Sequence, residues 1–238
     1  MRNLTFYMMD VFAQEKYAGN QLAVVRDAKV LSDVEMQKIA KEMHFSETAF
    51  ILSDEERAGG YDVRIFTPEK ELPFAGHPTL GTAYIIQREI IKKPTNKVVL
   101  NLKVGQIPVT FSYAEGCPNT LYMKQLPPTF DETFDNRAIS EVLSIDVKDV
   151  DKRFPIQEVS TGVGFIIVPL KNLDALKRAR IDRQKYFSLI ENTEAKSILI
   201  FCPETRNKRN NLSARVFAEY HGIPEDPATG SANGCLAG

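Results

Sequence analysis

Short apolar runs and one strongly periodic stretch set the plan of the first half of this chain. Residues 4–12, 21–26, 47–53 and 61–66 are rich in aliphatic, aromatic and β-branched side chains, often alternating with polar ones, and read as strands. The segments 97–103 and 106–113 read the same way. Between them, Met36, Ile39, Ala40 and Met43 recur at helical spacing and predict a helix over 33–43, with a core-facing stripe rather than a ligand surface. Ser32 and Glu35 form a capping box at its start, where each can satisfy a backbone donor. A second helix is expected over 78–91, and a further helical stretch around 136–145.

The pattern then recurs. Residues 64–83 read RIFTPEKELPFAGHPTLGTA and residues 215–234 read RVFAEYHGIPEDPATGSANG; Arg64/Arg215, Phe66/Phe217 and Pro73/Pro224 share one offset of 151 residues. At that offset the strand-like run FSETAFIL (45–52) falls on KSILIFCP (196–203). Gly19 before LAVV (22–25) is matched, with a small slip, by Gly162 before FIIV (165–168). Shared order and spacing over so many elements argue for an internal duplication. The expected fold is α/β of the α+β type: two similar lobes facing each other across a cleft, each a mostly antiparallel or mixed sheet wrapped around a central helix. The turn cluster Tyr113–Asn119 divides the chain into an N-terminal lobe of residues 1–117 and a C-terminal lobe of 118–238. Few residues follow Ser231 before Gly238, and the two closing strands of the first lobe have no counterpart. The second lobe therefore reads as incomplete, and 225–238 is expected to be poorly ordered or supported by a neighbouring chain.

Composition narrows the function classes. Thirty Lys and Arg against 31 Asp and Glu give a formal charge of −1, which removes the electrostatic footprint of a nucleic-acid binder. The one basic tract, Arg206–Arg209, reads as a solvated loop. Asp10 interrupts the N-terminus before a signal-like apolar core accumulates, and no later stretch has the length to span a bilayer. Cys117, Cys202 and Cys235 are scattered, without metal or redox spacing, and imply a reducing, cytoplasmic setting. His44, His77 and His221 are not at ligand spacing, so no metal is expected; Gly162-Val163-Gly164 lacks the third glycine of a dinucleotide fingerprint, and no cofactor is expected either.

Three motifs carry candidate chemistry: SETAF (46–50), FAGHP (74–78) and EDPATGSA (225–232). Glu47 stands at the mouth of an apolar strand, where burial moves a carboxyl toward the range useful for acid/base work at neutral pH. Its bland alternative is a structural carboxylate paired with a lysine. Gly76, His77 and Pro78 turn a loop into a helix, and amides at such a start can hold an anionic group. Asp226, Thr229, Gly230 and Ser231 form the corresponding loop, and simple N-capping is their alternative role. Together with DVF…GNQLAVV (10–25), these motifs resemble, in order and approximate spacing, the signatures of the PhzF-like (phenazine-biosynthesis) family over essentially the whole chain. More distantly the plan resembles diaminopimelate epimerase and proline racemase.

The resemblance implies a cofactor-independent isomerase acting on a small carboxylated, ring or amino-acid-like substrate, assembled as a homodimer. It assigns catalysis to Glu47, His77 and Asp226, and substrate binding to Gly76, Thr229, Gly230 and Ser231. The racemases of this fold carry one cysteine in each loop; the corresponding positions by the repeat are Ala75 and Pro227, neither of which accepts a proton. Single-carboxylate chemistry is favoured on that ground. The alternatives are an amino-acid racemase or epimerase, and a non-catalytic small-molecule binding or interaction protein.

Overall fold

The chain folds as two units, Met1–Lys124 and Gln125–Gly238, and the computed structural model describes residues 3–238. The first unit is built on β1 (Phe6–Val11), β2 (Asn20–Val25), β3 (Glu47–Ile51), β4 (Tyr61–Phe66), β5 (Glu71–Leu72), β6 (Lys97–Leu102), β7 (Gly105–Ala114) and β8 (Cys117–Met123). Their order is β1-β2-β3-β4-β6-β7-β8, with β5 on β4. The β2–β3 and β4–β6 pairs are parallel and the rest antiparallel, so the sheet is mixed. Helix α1 (Asp33–Met43) begins at the expected capping box, and its Met36 and Ala40 pack on Val25, Phe50 and Phe66. The opposite sheet face, with Leu22, Val24, Ala49, Ile51 and Ile65, receives α2 (Gly76–Ile85), which runs on as a π-helical stretch to Ile91. Eight of the ten residues of α2 are buried, so this helix is enclosed rather than amphipathic.

The second unit carries β9 (Thr129–Thr133), β10 (Gln157–Ser160), β11 (Gly164–Pro169), β12 (Ser197–Cys202), β13 (Ser213–Ala218) and β14 (Ile223–Asp226) in the order β14-β13-β12-β11-β10-β9. Helices α3 (Asn136–Val142), α4 (Leu173–Arg178) and α5 (Arg183–Ile190) lie between strands, and α6 (Gly230–Ala237) follows them. Ile139, Leu176, Tyr186 and Ile190 of the first three pack on Ile166, Val168, Ile198 and Ile200; Ala232 and Cys235 of α6 pack with Val159, Phe165, Ile167 and Leu199. No helix among the described residues is long and apolar enough to cross a membrane.

The duplication is visible strand by strand. β1 to β5 pair antiparallel, parallel, antiparallel, antiparallel, and β10 to β14 repeat that sequence of pairings. The matched arginines do the same work in each unit. Arg64 grips the Glu71 carboxylate through Nε and Nη2 at 2.8 and 2.7 Å and lies 5.1 Å from the Phe66 ring centroid. Arg215 grips Glu225 at 2.7 and 2.7 Å and lies 4.8 Å from that of Phe217. Each clasp pins a short strand to its neighbour just before a motif loop.

Three expectations are corrected. The offset of the repeat does not hold to the helices: Leu72 faces Ile65, whereas Asp226 faces Val216 across an irregular register, so the second hairpin is three residues longer. The counterpart of Pro73 is therefore Pro227, not Pro224, and the residue matching Ala75 at the helix start is Thr229, not Pro227. The division of the chain falls after Lys124 rather than after residue 117, because 114–117 is a tight hairpin and β8 pairs with β7. Residues 225–238 form a strand end and a helix, with one side of that helix covered by its own sheet. Only Ala232 and Cys235 of α6 are buried, so it is packed on one face where α2 is enclosed.

Candidate active site

Glu47 is the first residue of β3, and its strand neighbour in β2 is Leu22. Leu22 packs toward α2, since a Cβ added at Gly81 would come 2.5 Å from Leu22 Cδ2 and 3.0 Å from Val11 Cγ2. Gly81 thus lets the helix approach the sheet closely. His77 lies one turn before Gly81 on the same helix face and is 5% exposed. Its Nδ1 stands 3.5 Å from Glu47 Oε2, with the carboxylate side chain 15% exposed. The pair is long for a hydrogen bond and close enough for a charged attraction when the imidazole carries a proton. The charged neighbour seen at Glu47 is a histidine brought in by α2. A carboxyl and an imidazole at this separation, both largely removed from water, are groups capable of accepting and donating a proton.

In the second unit Asp226 ends β14 and is half-buried. The neighbouring Glu225 is committed to Arg215, whose guanidinium holds its carboxyl below the usual range. The Thr229 hydroxyl donates to Asp226 Oδ2 instead of capping the helix it precedes. Gly230 and Ser231 then open α6.

The helix starts separate into two kinds. α1, α3, α4 and α5 are capped by the side chains of Ser32, Asp135, Asn172 and Asp182. α2 and α6 begin at Ala75 and Thr229 with no side-chain cap. The N-terminal amides of a helix lack intrahelical acceptors and favour negative charge. The bare starts at Gly76 and Gly230 therefore offer donors to an anion. Thr229 itself makes no side-chain cap to α6. A groove of about 850 Å³, lined among others by Lys177, Arg180, Arg206 and Arg215, also exists in this unit. It is open and holds none of the candidate residues, so its size carries less weight than the chemistry of the motif loops.

Sequence reasoning assigned no role to Asn20, although it lies inside GNQLAVV. It opens β2 opposite Val11 and is 1% exposed. A buried carboxamide directly before an apolar strand was the available signal.

The duplicated mixed-sheet scaffold is an epimerase-like fold. A structure described as a probable proline racemase from Agrobacterium radiobacter shares that fold, with a TM-score of 0.59 over 98% of this chain and 76% of its own, at 9% identity. Residues 9–238 match the family model described as phenazine biosynthesis-like protein, and the chain belongs to that family. The Bacillus anthracis phenazine biosynthesis protein of the PhzF family superposes with a TM-score of 0.90 at 30% identity, covering 100% of this chain and 79% of its own. The trans-2,3-dihydro-3-hydroxyanthranilate isomerase of Pseudomonas aeruginosa is 33% identical over 232 residues, 98% of this chain and 78% of that protein. The chain is an enzyme of the isomerase class.

Proposed function

We propose that the protein is a cofactor-independent isomerase that moves a proton along one face of a small carboxylated substrate, a ring or an amino-acid-like molecule. The observation that carries this reading is the Glu47–His77 pair, 3.5 Å apart at the start of β3 and α2. The Glu47 carboxylate takes a proton from a carbon beside an unsaturated system, and the electron pair left behind delocalises into that system. The same carboxyl returns the proton to another carbon, so no net atom or electron is gained. His77 orients the carboxyl or relays the proton. In the first unit the Gly76 amide is suited to an anionic group; in the second, the Gly230 and Ser231 amides are suited to a carboxylate and Asp226, steadied by Thr229, to an amine or hydroxyl.

Two-thiol racemisation has no support in the helix starts, which carry Ala75 and Thr229. A second copy of the chain is proposed as partner, supported by Phe6 and Met8, 48% and 65% exposed on the edge strand β1. The test of function is incubation in deuterated water with trans-2,3-dihydro-3-hydroxyanthranilate, the substrate named for the Pseudomonas relative. Deuterium entering a shifted double-bond product supports the isomerase. Stereoinversion of a free amino acid instead would support the racemase, and tight binding without exchange a binding protein.

A further inference from the structure

Asn20 shares a corner of the first unit with Glu47 and His77. β2 and β3 run parallel with Leu22 beside Glu47, so Asn20 lies two residues back along β2 on the side of the sheet that Leu22 presents to α2. Its antiparallel partner is Val11, whose side chain also meets the Gly81 position of α2, which fixes the same side independently. β2 begins at Asn20 and β3 at Glu47, with Leu22 beside Glu47, while His77 near the start of α2 stands 3.5 Å from Glu47. Diagonal neighbours on adjacent strands lie within about 7–8 Å at the backbone end, a span that an asparagine and a glutamate side chain can close.

The backbone is built to deliver this side chain. Gly19 has φ +71°, and a Cβ there would come 2.3 Å from the Val11 carbonyl oxygen. Only glycine makes that approach without moving the chain. The turn thus places a carboxamide at 1% exposure where the next residues of the same face, Leu22 and Val24, are apolar. Burying an amide costs free energy unless it finds polar partners, and an apolar residue would fill the strand start more cheaply.

We infer that Asn20 is a positioning residue for Glu47: its carboxamide fixes the carboxyl in the orientation that faces His77 Nδ1. The inference rests on the reading of Glu47 as the acid/base of this site. An amide donor suits the task because it carries no charge of its own. It favours the carboxylate by hydrogen bonding without fixing its protonation state as a lysine would.

The test reads Glu47 directly and needs no substrate. The full chain is labelled with ¹³C at glutamate side-chain carboxyls, and the Glu47 signal is assigned by its loss in Glu47→Gln. Its midpoint is then compared in wild type, Asn20→Asp and Asn20→Leu. A second carboxyl at position 20 should raise the Glu47 midpoint by about one pH unit, tenfold in proton affinity, through like-charge repulsion. Asn20→Leu, close in size and uncharged, should raise it as well, because a donor to the carboxylate is lost. Folding of each variant is checked by thermal melting, and if the aspartate variant does not fold the leucine variant decides. A Glu47 midpoint unchanged in folded Asn20→Leu overturns the inference, since a purely structural Asn20 would alter stability and leave this titration in place, and an unchanged midpoint in folded Asn20→Asp would overturn the proximity on which it rests. Failure of turnover with an intact coupling would instead count against the proposed reaction, so the two outcomes are separable.

Discussion

Glu47 and Glu158 are both strand carboxyls, yet their surroundings set them apart. Glu158 in β10 is 4% exposed, and its Oε1 accepts from the Ala195 amide at 2.8 Å. Burial pushes its carboxyl above the ordinary value, with Asp131, Glu194 and Glu132 adding repulsion. A carboxyl raised in the folded state binds protons more tightly there than in the unfolded chain. Its contribution is full below the unfolded pKa and is lost as pH rises through the folded one. Glu158→Gln keeps an oxygen for Ala195 and removes that loss, so the variant should melt at or above wild type at pH 7 to 8, with the gain shrinking toward pH 4. A lower melting temperature across that range would show that the charge is stabilising. Asp226→Asn belongs to the same scale: it should raise KM and lower kcat together, because its proposed role is to hold substrate. A change in kcat alone would move Asp226 into the proton transfer. At this scale the placement of the motif residues at element boundaries was legible: Glu47 opens β3, Gly76 and Gly230 open helices, and Asp226 ends β14. The partner of Glu47 was not, since a strand and a helix 30 residues apart meet only through the sheet.

At the scale of elements, the arginine–glutamate clasps explain why the repeat is written most clearly at Arg64 and Arg215. Arg64 holds the Glu71 carboxyl below its ordinary value of 4.5, and its Nη1 reaches Asp33 in the first turn of α1 at 2.6 Å. A depressed carboxyl contributes stability above the unfolded pKa and loses it as pH falls through the folded one. Glu71→Gln should cost about 1–2 kcal/mol at pH 7, the range for hydrogen bonds to charged groups discounted for partial exposure. Urea titrations of wild type and variant should converge as pH drops below 4.5. A difference that persists at low pH would assign the loss to packing instead. Most elements of the first unit were legible because their periods are strong: the predicted helix over 33–43 is α1 to the residue, and the strand expected at 61–66 is β4. The lengthened hairpin between β13 and β14 was not, because an irregular strand register leaves no periodic trace. The hairpin at 114–117 read as a linker because tight turns and domain boundaries draw on the same residues.

For the whole molecule, the duplication is the feature on which the reading depends, and it was legible because two separate signals agreed: paired residues at one offset and the recurring order of strands. Both units bring a helix start without a side-chain cap to a motif loop, one beside Glu47 and His77 and the other beside Asp226. The exposed Phe6 and Met8 on β1 lead to the expectation of a homodimer. Sedimentation velocity should give about twice the 26.8 kDa chain mass, and a monomer at every concentration would contradict it. The most direct test of the central claim removes only the proton-accepting ability of Glu47. Glu47→Gln keeps the shape of the side chain, so binding and melting temperature should stay near wild type. Deuterium transfer from solvent into trans-2,3-dihydro-3-hydroxyanthranilate should fall by about 10²–10⁴-fold. Exchange at the wild-type rate in the folded variant would contradict the account.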